Sequence, residues 1–328
     1  MPTMTPEPIM KIAMGFMAAK HLFVASEIGL FAALADGAAS LDVLARNTGV
    51  PPRTLEIVIA AIVGLGLIEQ DGGSYRNSEV AAAFLAGKPG PDLRPNLRFW
   101  DQISYPAWQK LADAVRSGQG QVQFGKFDER QQQIFSAGVE SFTAPTAAAL
   151  AAAYDFNNHR RVLDVGGGTG SFLIPILKRY ASLKATLFEL PGTCDVARQR
   201  LSKVPEGARI DIMAGSVFQD PLPSGHDALI VANTVHVFSA EHNIELMKKM
   251  RAAVSAGARL LLVDLWTDPS GTEPLPAALI SAEFLVISGE GQTYRERDAD
   301  DWLAQTGWKK LERKPLAGPS SLIVAAAV

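Results

Sequence analysis

A glycine-rich turn preceded by an acidic residue is the strongest chemical signal in the sequence. Asp164 lies in an apolar run that leads into several glycines and then into a helical pattern. Backbone N–H groups at such a turn can approach a ligand closely, because no side chain stands in the way. Gly166 and Gly168 fit the dinucleotide-binding fingerprint, but Ser171 occupies the position of its third glycine. A carboxylate here would repel a pyrophosphate, whereas it can receive the ammonium of an amino-acid tail, directly or through water.

A second acid, Glu189, ends the next predicted strand. An acid in this position accepts hydrogen bonds from both hydroxyls of a ribose. An adenosine that carries an amino acid and no phosphate is S-adenosylmethionine, and the two acids together predict this cofactor. A dinucleotide oxidoreductase is an alternative that Asp164 and Ser171 disfavour.

His236 is the histidine best placed to act as a base. It follows the predicted strand Ala228–Ala232, and open α/β sheets bind ligands at the carboxyl ends of their strands. A phenol, with a pKa of about 10, is mostly protonated at pH 7. A neutral imidazole that removes this proton while the oxygen attacks a sulfonium methyl lowers the barrier. Asp264 ends the following apolar strand, where a carboxylate is rarely buried without a role.

Strands and helices alternate from residue 160 onward, which predicts a doubly wound, mostly parallel α/β sheet with helices on both faces. The predicted strands are Arg161–Val165, Ala185–Glu189, Ile210–Ala214, Ala228–Ala232, Arg259–Asp264, Lys309–Lys314 and Ser321–Ala326. The predicted helices include Ser171–Tyr180, Gly192–Ser202, Glu241–Val254 and Asp298–Thr306.

The N-terminal part of the chain is predicted to be mainly helical. Apolar residues, among them Ile9, Ile12 and Phe16, recur at helical spacing from residue 9 to 35, and such a stripe is usually core. Two short helices, at about 41–47 and 52–65, and a hairpin at 68–76 with a Gly-Gly turn follow. Helix, turn, helix and hairpin form the outline of a winged helix.

The charge of this module tests whether it binds DNA. Between residues 38 and 80, three arginines stand against five acidic residues, whereas a major-groove reader needs cationic residues on its second helix and wing. The whole chain has a net charge of −3. We therefore predict a module for packing or dimerisation and no nucleic-acid partner. A DNA-binding regulator with a ligand-sensing domain is the alternative from another class.

Length and composition describe a folded protein of about two domains. The chain has 328 residues, 48% of them hydrophobic and 20% charged, which excludes disorder over most of its length. Its one cysteine, Cys194, cannot form an internal disulfide, which favours the cytoplasm. The apolar stretch 57–68 is too short to span a membrane, and the N-terminus has no pattern typical of an export signal.

Taken together, these motifs resemble the class I S-adenosylmethionine-dependent O-methyltransferases of the plant caffeate and acetylserotonin type and their bacterial natural-product relatives. The resemblance covers nearly the whole chain and rests on Leu163–Gly170, on Phe188–Pro191 and on Ala232–Ser239. It implies a homodimer with a winged-helix dimerisation domain at 1–95, and a methyltransferase domain at 96–328 with its Rossmann-like core at 155–328. It also implies that His236, which the family usually has in a His-Asp-Trp segment, is the general base.

The resemblance assigns acidic partners to this base. The family has an acid, usually Glu, 28 positions after the histidine, and this position is Asp264, which would orient the imidazole. A second acid would fall near Thr293, which cannot serve. Glu290 could replace this second acid only if its loop places the carboxylate beside His236.

The predicted cofactor and acceptor sites follow from the same motifs. The cofactor site comprises Asp164, Gly166, Gly168, Glu189, Leu190, Ser216, Val217 and Asn233. Ser216 replaces an acid that meets the adenine amino group in the family, and it would hydrogen-bond the adenine more weakly. Aromatic residues are dense between 81 and 155, where they either pack between domains or line a pocket. The predicted acceptor pocket comprises Trp100, Phe135, Phe238, Trp266 and Phe284.

The sequence therefore predicts an O-methyltransferase that acts on a hydroxyl of a small, phenolic or quinoid secondary metabolite, without a metal ion or a membrane partner. A first alternative keeps the cofactor but methylates nitrogen or carbon, or catalyses a decarboxylation or hydroxylation. His236 has one predicted acidic partner instead of two, which favours this alternative, because a neutral amine or an enol needs less help from a base.

Overall fold

The computed structural model describes residues 4–122 and 127–328. The helices are α1 (Glu7–Ala13), α2 (Gly15–Glu27), α3 (Leu30–Ala33), α4 (Leu41–Thr48), α5 (Pro52–Gly64), α6 (Glu79–Phe84), α7 (Arg94–Phe99), α8 (Tyr105–Trp108), α9 (Leu111–Ser117), α10 (Glu129–Ala153), α11 (Leu173–Arg179), α12 (Pro191–Leu201), α13 (Ala240–Ala252), α14 (Leu275–Ser288) and α15 (Glu296–Gln305). The strands are β1 (Ala39–Ser40), β2 (Ile68–Asp71), β3 (Ser74–Asn77), β4 (Arg161–Val165), β5 (Lys184–Glu189), β6 (Ile210–Ala214), β7 (Ala228–Ala232), β8 (Arg259–Thr267), β9 (Tyr294–Arg295), β10 (Trp308–Pro315) and β11 (Ser320–Ala327).

The chain divides into two compact units. The first comprises residues 1–106 and 128–142, and the second comprises residues 107–127 and 143–328. The predicted domain boundary at residue 95 stays a prediction.

The first unit contains the predicted helix, turn, helix and hairpin. Helices α4 and α5 lie in the chain between β1 and the hairpin of β2 and β3, and the three strands form an antiparallel sheet in the order β1-β3-β2. Gly72 and Gly73 connect β2 and β3 with φ values of 52° and 84°, the left-handed geometry that two-residue hairpin turns prefer. Buried residues of α3, α4 and α5, such as Phe31, Leu44 and Ile59, form the core of this unit.

The N-terminal apolar stripe agrees with its prediction only in part: Leu30, Phe31 and Leu34 are core residues, whereas the first residues of the stripe are not. Ile9, Ile12 and Phe16 are 71%, 82% and 51% exposed, so in the single chain they are surface residues and not core. By length and composition alone, the 21 residues Glu7–Glu27 would suffice to cross a membrane, and only 11% of their apolar window is buried. The helical periodicity was sufficient to predict helices, but it does not say what covers their apolar face.

The second unit is built on the predicted sheet. Strands β8, β7, β4, β5 and β6 are parallel neighbours, and the antiparallel β11 and β10 extend the sheet beyond β8. The seven predicted strands correspond to β4–β8, β10 and β11, with ends within three residues of the observed ones. Helix α14 was not among the predicted helices. Its sequence is apolar almost all round, so no amphipathic period marks it.

The sheet is buried on both faces. Alternate residues enter two separate clusters, for example Val162 in one and Leu163 in the other. This double burial explains why the strands read as continuous apolar runs. Because β4, β5, β7 and β8 all run in the same direction, their carboxyl ends meet at one edge of the sheet.

Candidate active site

The glycine turn follows β4 at this edge. Gly166 and Gly168 have φ values of 67° and 58°, a left-handed conformation that glycine adopts at no steric cost. A Cβ atom on Gly167 would lie 2.4 Å from the Asp164 carboxylate, and one on Gly166 would lie 3.3 Å from the Thr234 side chain. The turn therefore needs glycine, both for its shape and for its approach to the segment after β7.

Asp164 is fully buried beneath this turn. Neither of its carboxylate oxygens has a hydrogen-bond partner within the described parts of the chain. Burial, followed by the charge of Glu189, raises the pKa of Asp164 to about 8. A buried acid without a partner is costly, and here it is placed where a cationic ligand group would stabilise the carboxylate.

Glu189 lies at the end of β5, directly across the glycine turn. Its carboxylate accepts hydrogen bonds from the N–H groups of Gly168 (3.0 Å) and Leu190 (2.7 Å). Burial raises the pKa of Glu189, and these two hydrogen bonds oppose the shift. The N–H groups fix the carboxylate and leave lone pairs that can accept from a ribose diol.

The other predicted cofactor residues occupy three neighbouring loops. Ser216, after β6, accepts weak hydrogen bonds from the N–H groups of Phe218 (3.4 Å) and Gln219 (3.3 Å), and its hydroxyl hydrogen can still be donated. Val217 is half-buried and Leu190 is 54% exposed. Asn233, directly after β7, has a φ of 52°, the only positive value at a non-glycine residue in the described chain. Such conformations concentrate at functional sites.

An acid, a glycine turn and a second acid at adjacent strand ends fit S-adenosylmethionine. Asp164 would face the cationic amino-acid tail of the cofactor, and Glu189 would face its ribose. The left-handed glycines have no side chains, so they leave room for the cofactor beside the turn. A pyrophosphate fits these residues less well, because it has no cationic group to pair with the buried Asp164.

His236 and Asp264 form a buried pair at the same edge of the sheet. The imidazole Nδ1 lies 2.6 Å from Asp264 Oδ1, and the side chains are 10% and 2% exposed. Asp264 Oδ1 also accepts from the N–H of Leu265 at 2.7 Å. A carboxylate partner places the hydrogen of a neutral imidazole on Nδ1 and leaves Nε2 as an acceptor. Nε2 forms no hydrogen bond with any described residue.

Aromatic side chains surround this histidine. The Phe284 ring stacks on the imidazole with centroids 3.9 Å apart and an interplanar angle of 21°. Phe238 is half-buried and packs edge-on against Phe218. Trp266 is 1% exposed and belongs to the core that also contains Tyr294 and Trp302, and its role in acceptor binding stays a prediction.

Two predicted pocket residues lie in the first unit. Trp100 begins a single π-helical turn (Trp100–Ser104) and is 41% exposed. Phe135, on α10, packs edge-on against Phe99 with centroids 5.8 Å apart. A role for either in acceptor binding stays a prediction.

Neither Thr293 nor Glu290 supplies a second acidic partner for His236. Thr293 donates its hydroxyl to the carbonyl of Ala277. Glu290 lies 2.9 Å from His242 Nδ1 and is exposed, so it pairs with a different histidine. Within the described chain, Asp264 is therefore the one carboxylate that contacts His236.

Arg200 was missed by the sequence reasoning. From α12 its guanidinium donates to the Thr169 carbonyl (3.0 Å) and hydroxyl (3.0 Å) and to the Ser171 hydroxyl (3.1 Å). It thus braces the far side of the glycine turn. An arginine on a helix carries no sequence signal of this role, because the contact spans about thirty residues and depends on how α12 packs.

The sheet, the glycine turn and the paired acids define a class I S-adenosylmethionine-dependent methyltransferase. Comparison with known proteins identifies the family. Residues 108–309 match the model of the O-methyltransferase domain, and residues 10–87 match that of the O-methyltransferase dimerisation domain.

Relatives and solved structures agree with this match. A 3-hydroxy-5-methyl-1-naphthoate 3-O-methyltransferase from Streptomyces sahachiroi is 33% identical, over 98% of this chain and 95% of the relative. A phenazine O-methyltransferase from Lysobacter antibioticus is 26% identical, over 97% and 95%. The crystal structure of human N-acetylserotonin methyltransferase in complex with S-adenosylmethionine is 26% identical, covers 98% and 97% of the two chains, and superimposes with a TM-score of 0.89. The chain belongs to the S-adenosylmethionine-dependent O-methyltransferase family. These findings do not favour the oxidoreductase, the regulator or the other methyl acceptors.

Proposed function

We propose that this enzyme methylates a hydroxyl group of a small aromatic molecule, with His236 as general base and Asp264 as the residue that orients it. The observation that carries the proposal is the buried hydrogen bond between His236 Nδ1 and Asp264 Oδ1, which leaves Nε2 free. The segment that bears His236 also contacts the glycine turn, through Thr234 and Gly166. Base and cofactor site are therefore neighbours.

Residues of this chain accept the hydroxyl proton and align the two reactants. When bound, S-adenosylmethionine supplies a sulfonium methyl group whose carbon an oxygen nucleophile can attack, with S-adenosylhomocysteine as the leaving group. Nε2 of His236 takes the hydroxyl proton as the oxygen–carbon bond forms, and Asp264 stabilises the imidazolium that results. Asp164 and Glu189 hold the cofactor at its two ends, so that the oxygen and the methyl meet in line.

An aromatic acceptor is supported by the site and by the relatives. The Phe284 ring lies against the imidazole, and a flat aromatic acceptor would find an apolar, aromatic surface beside the base. The related enzymes are named for a naphthoate, a phenazine and N-acetylserotonin, which are all aromatic. We infer that a phenolic or quinoid secondary metabolite is the substrate class here.

We further propose that the enzyme is a homodimer through its N-terminal domain, with residues 1–95 as the pairing domain and 96–328 as the methyltransferase domain. The match to a dimerisation domain and the exposed apolar residues of α1 and α2 support this. A second copy would cover a face that is too apolar for water. The buried free thiol of Cys194 is consistent with the reducing cytoplasm, where we place the enzyme, with no nucleic acid or membrane as partner.

Replacement of His236 by alanine tests the function. The panel of acceptors comprises phenols, naphthols and hydroquinones, and mass spectrometry scores the gain of one methyl group. We expect turnover to fall by about 10²- to 10⁴-fold, since this is the range that a positioned base contributes. Affinity for S-adenosylmethionine, measured by isothermal titration calorimetry, should change less than about threefold, because the base does not hold the cofactor.

The control is His21→Ala, which removes a histidine of α2 whose Nδ1 contacts the Met17 carbonyl. It should keep wild-type turnover. Full activity of His236→Ala would remove the base from the mechanism. Failure of the wild-type enzyme to methylate any hydroxyl in the panel would contradict the substrate class.

A further inference from the structure

The turn that carries His236 is short and has little support of its own. His236 is the middle residue of a single 3₁₀ turn, Val235–Val237. Such turns have poorer hydrogen-bond geometry than an α-helix. The side-chain amide of Asn243, which is completely buried, donates to the carbonyls of Val235 (2.9 Å) and Phe238 (3.3 Å). The turn is therefore held in place by a side chain of α13.

Tyr294 supplies a second support, at a carbonyl that Asn243 also contacts. Its hydroxyl donates to the Phe238 carbonyl at 2.6 Å. Its ring is 4% exposed and packs edge-on against Trp302, with centroids 4.7 Å apart. A buried ring with one aromatic neighbour at this geometry has little freedom to move.

The same residue is also attached to the strand that bears the acid. Tyr294 lies in β9, which pairs with β8 in parallel, and its direct partner is Trp266. Trp266 is two residues beyond Asp264 on the same strand. One residue thus links the histidine turn, through its hydroxyl, to the aspartate strand, through its main chain.

The loop before β9 is pressed against the histidine turn as well. A Cβ atom on Gly291 would lie 2.3 Å from the carbonyl oxygen of His236. Glycine is therefore required for the chain to pass this closely, and the loop enters β9 in contact with the turn.

From these contacts we propose that Tyr294 is a positioning residue, which sets the separation of His236 and Asp264 and so the strength of their hydrogen bond. This inference rests on the proposed role of His236 as base. The hydroxyl keeps its proton over the working range, because burial raises the pKa of Tyr294 to about 12. The proposed role of Tyr294 requires no contact with the methyl donor or the acceptor. It acts through the imidazole.

The test is Tyr294→Phe, which removes the hydroxyl and keeps the ring. We expect kcat for acceptor methylation to fall about tenfold, because a misplaced catalytic group costs rate steeply, while KM for the acceptor and for S-adenosylmethionine changes less than about twofold. Proton NMR of the ligand-free enzyme supplies the second readout. The Nδ1–H resonance of His236, identified by its loss in His236→Gln, should broaden in Tyr294→Phe, as the proton exchanges faster with water.

Tyr180→Phe is the matched control. Tyr180 is also buried, and its hydroxyl donates to a main-chain carbonyl, that of Tyr154, at 3.0 Å. We expect a similar small loss of thermal stability with kcat and the Nδ1–H resonance unchanged. The proposal is overturned if Tyr294→Phe leaves kcat and the resonance as in the wild type, or if Tyr180→Phe alters both equally. The Nδ1–H resonance can be measured without cofactor or acceptor. It therefore shows whether Tyr294 affects the hydrogen bond of His236, even if His236→Ala retains full activity and the proposed function fails.

Discussion

At the scale of single residues, the buried carboxyl of Asp164 is the most unusual group in the site. Its pKa of about 8, against an ordinary value of 3.8, means that the carboxyl is mostly protonated in the free enzyme at pH 7. A cationic ligand nearby favours the carboxylate. Cofactor binding at neutral pH should therefore drive a proton off the enzyme.

This leads to a calorimetric prediction. At pH 7, titration with S-adenosylmethionine should release a proton, so the measured heat should be more exothermic in Tris than in phosphate, since Tris takes up a proton with greater release of heat. Affinity should rise as the pH increases from about 6 to 8. Asp164→Asn should abolish the buffer dependence and weaken binding. Equal heats in both buffers would show that Asp164 is already ionised or does not sense the ligand.

The same shift has a consequence for stability. Between about pH 4 and 8 the folded protein binds a proton at Asp164 that the unfolded chain has lost, so the free energy of unfolding falls as the pH rises through this window. In the ligand-free protein, the decrease in Tm over this range should be smaller for Asp164→Asn. Below about pH 4 both states are protonated and the difference disappears.

Residue type and spacing predicted part of this site. Asp164, Glu189 and Asp264 were predicted as site residues because an acid next to a buried apolar run is rare. Asp264 was predicted to end its strand, but β8 continues to Thr267. The direction of a side chain is not encoded in this way. Trp266 is two residues beyond Asp264, and its ring is 1% exposed within the core cluster that also contains Tyr294 and Trp302.

At the scale of elements, the glycine turn depends on a helix that the cofactor does not need to touch. Arg200 on α12 donates three hydrogen bonds to the turn, at Thr169 and Ser171. A loop of glycines loses more conformational entropy on ordering than other loops. A brace from α12 therefore lowers the cost of holding the turn ready for its ligand.

We expect Arg200→Ala to weaken S-adenosylmethionine binding about fivefold to tenfold, as the loss of about 1 kcal/mol of hydrogen bonding implies. Arg198→Ala is the control, since Arg198 is on the same helix but its exposed guanidinium, among the described residues, pairs only with Asp195. Calorimetry should show wild-type affinity for that variant. If both variants bind alike, the brace does not prepare the turn.

The elements themselves were predictable where a period marks them. Buried strands such as β4 and β7 stand out as short apolar runs between turn signals, and their observed bounds equal the predicted ones. Helix α14 has no polar face that a period could reveal, although it carries the Phe284 ring that stacks on the base. The pairing of β9 with β8 joins two residues to a strand across a loop, and no local pattern predicts such a contact.

At the scale of the whole molecule, the surface of α1 and α2 is the feature that a single chain leaves unexplained. Ile9, Ile12 and Phe16 expose most of their apolar area, and contiguous apolar surface of this kind marks an interface. The sequence period predicted these residues as core. A second copy of the chain would make that prediction true of the dimer, since an obligate interface resembles a core divided between two chains.

The oligomeric state in solution tests whether this apolar face pairs two copies of the chain. In sedimentation velocity at micromolar concentration, the wild-type enzyme should migrate as a dimer, whereas the double variant Ile12→Lys, Phe16→Lys should migrate as a monomer, because each lysine places a charge where apolar area would be buried. Leu311→Lys is the control: Leu311 is 48% exposed on β10 of the second unit and should leave the dimer intact. A monomeric wild-type enzyme, or a dimeric double variant, would remove the N-terminal helices from the interface. Flotation of the wild-type protein with phosphatidylcholine vesicles would instead assign their apolar face to a membrane, which the length of Glu7–Glu27 alone would permit.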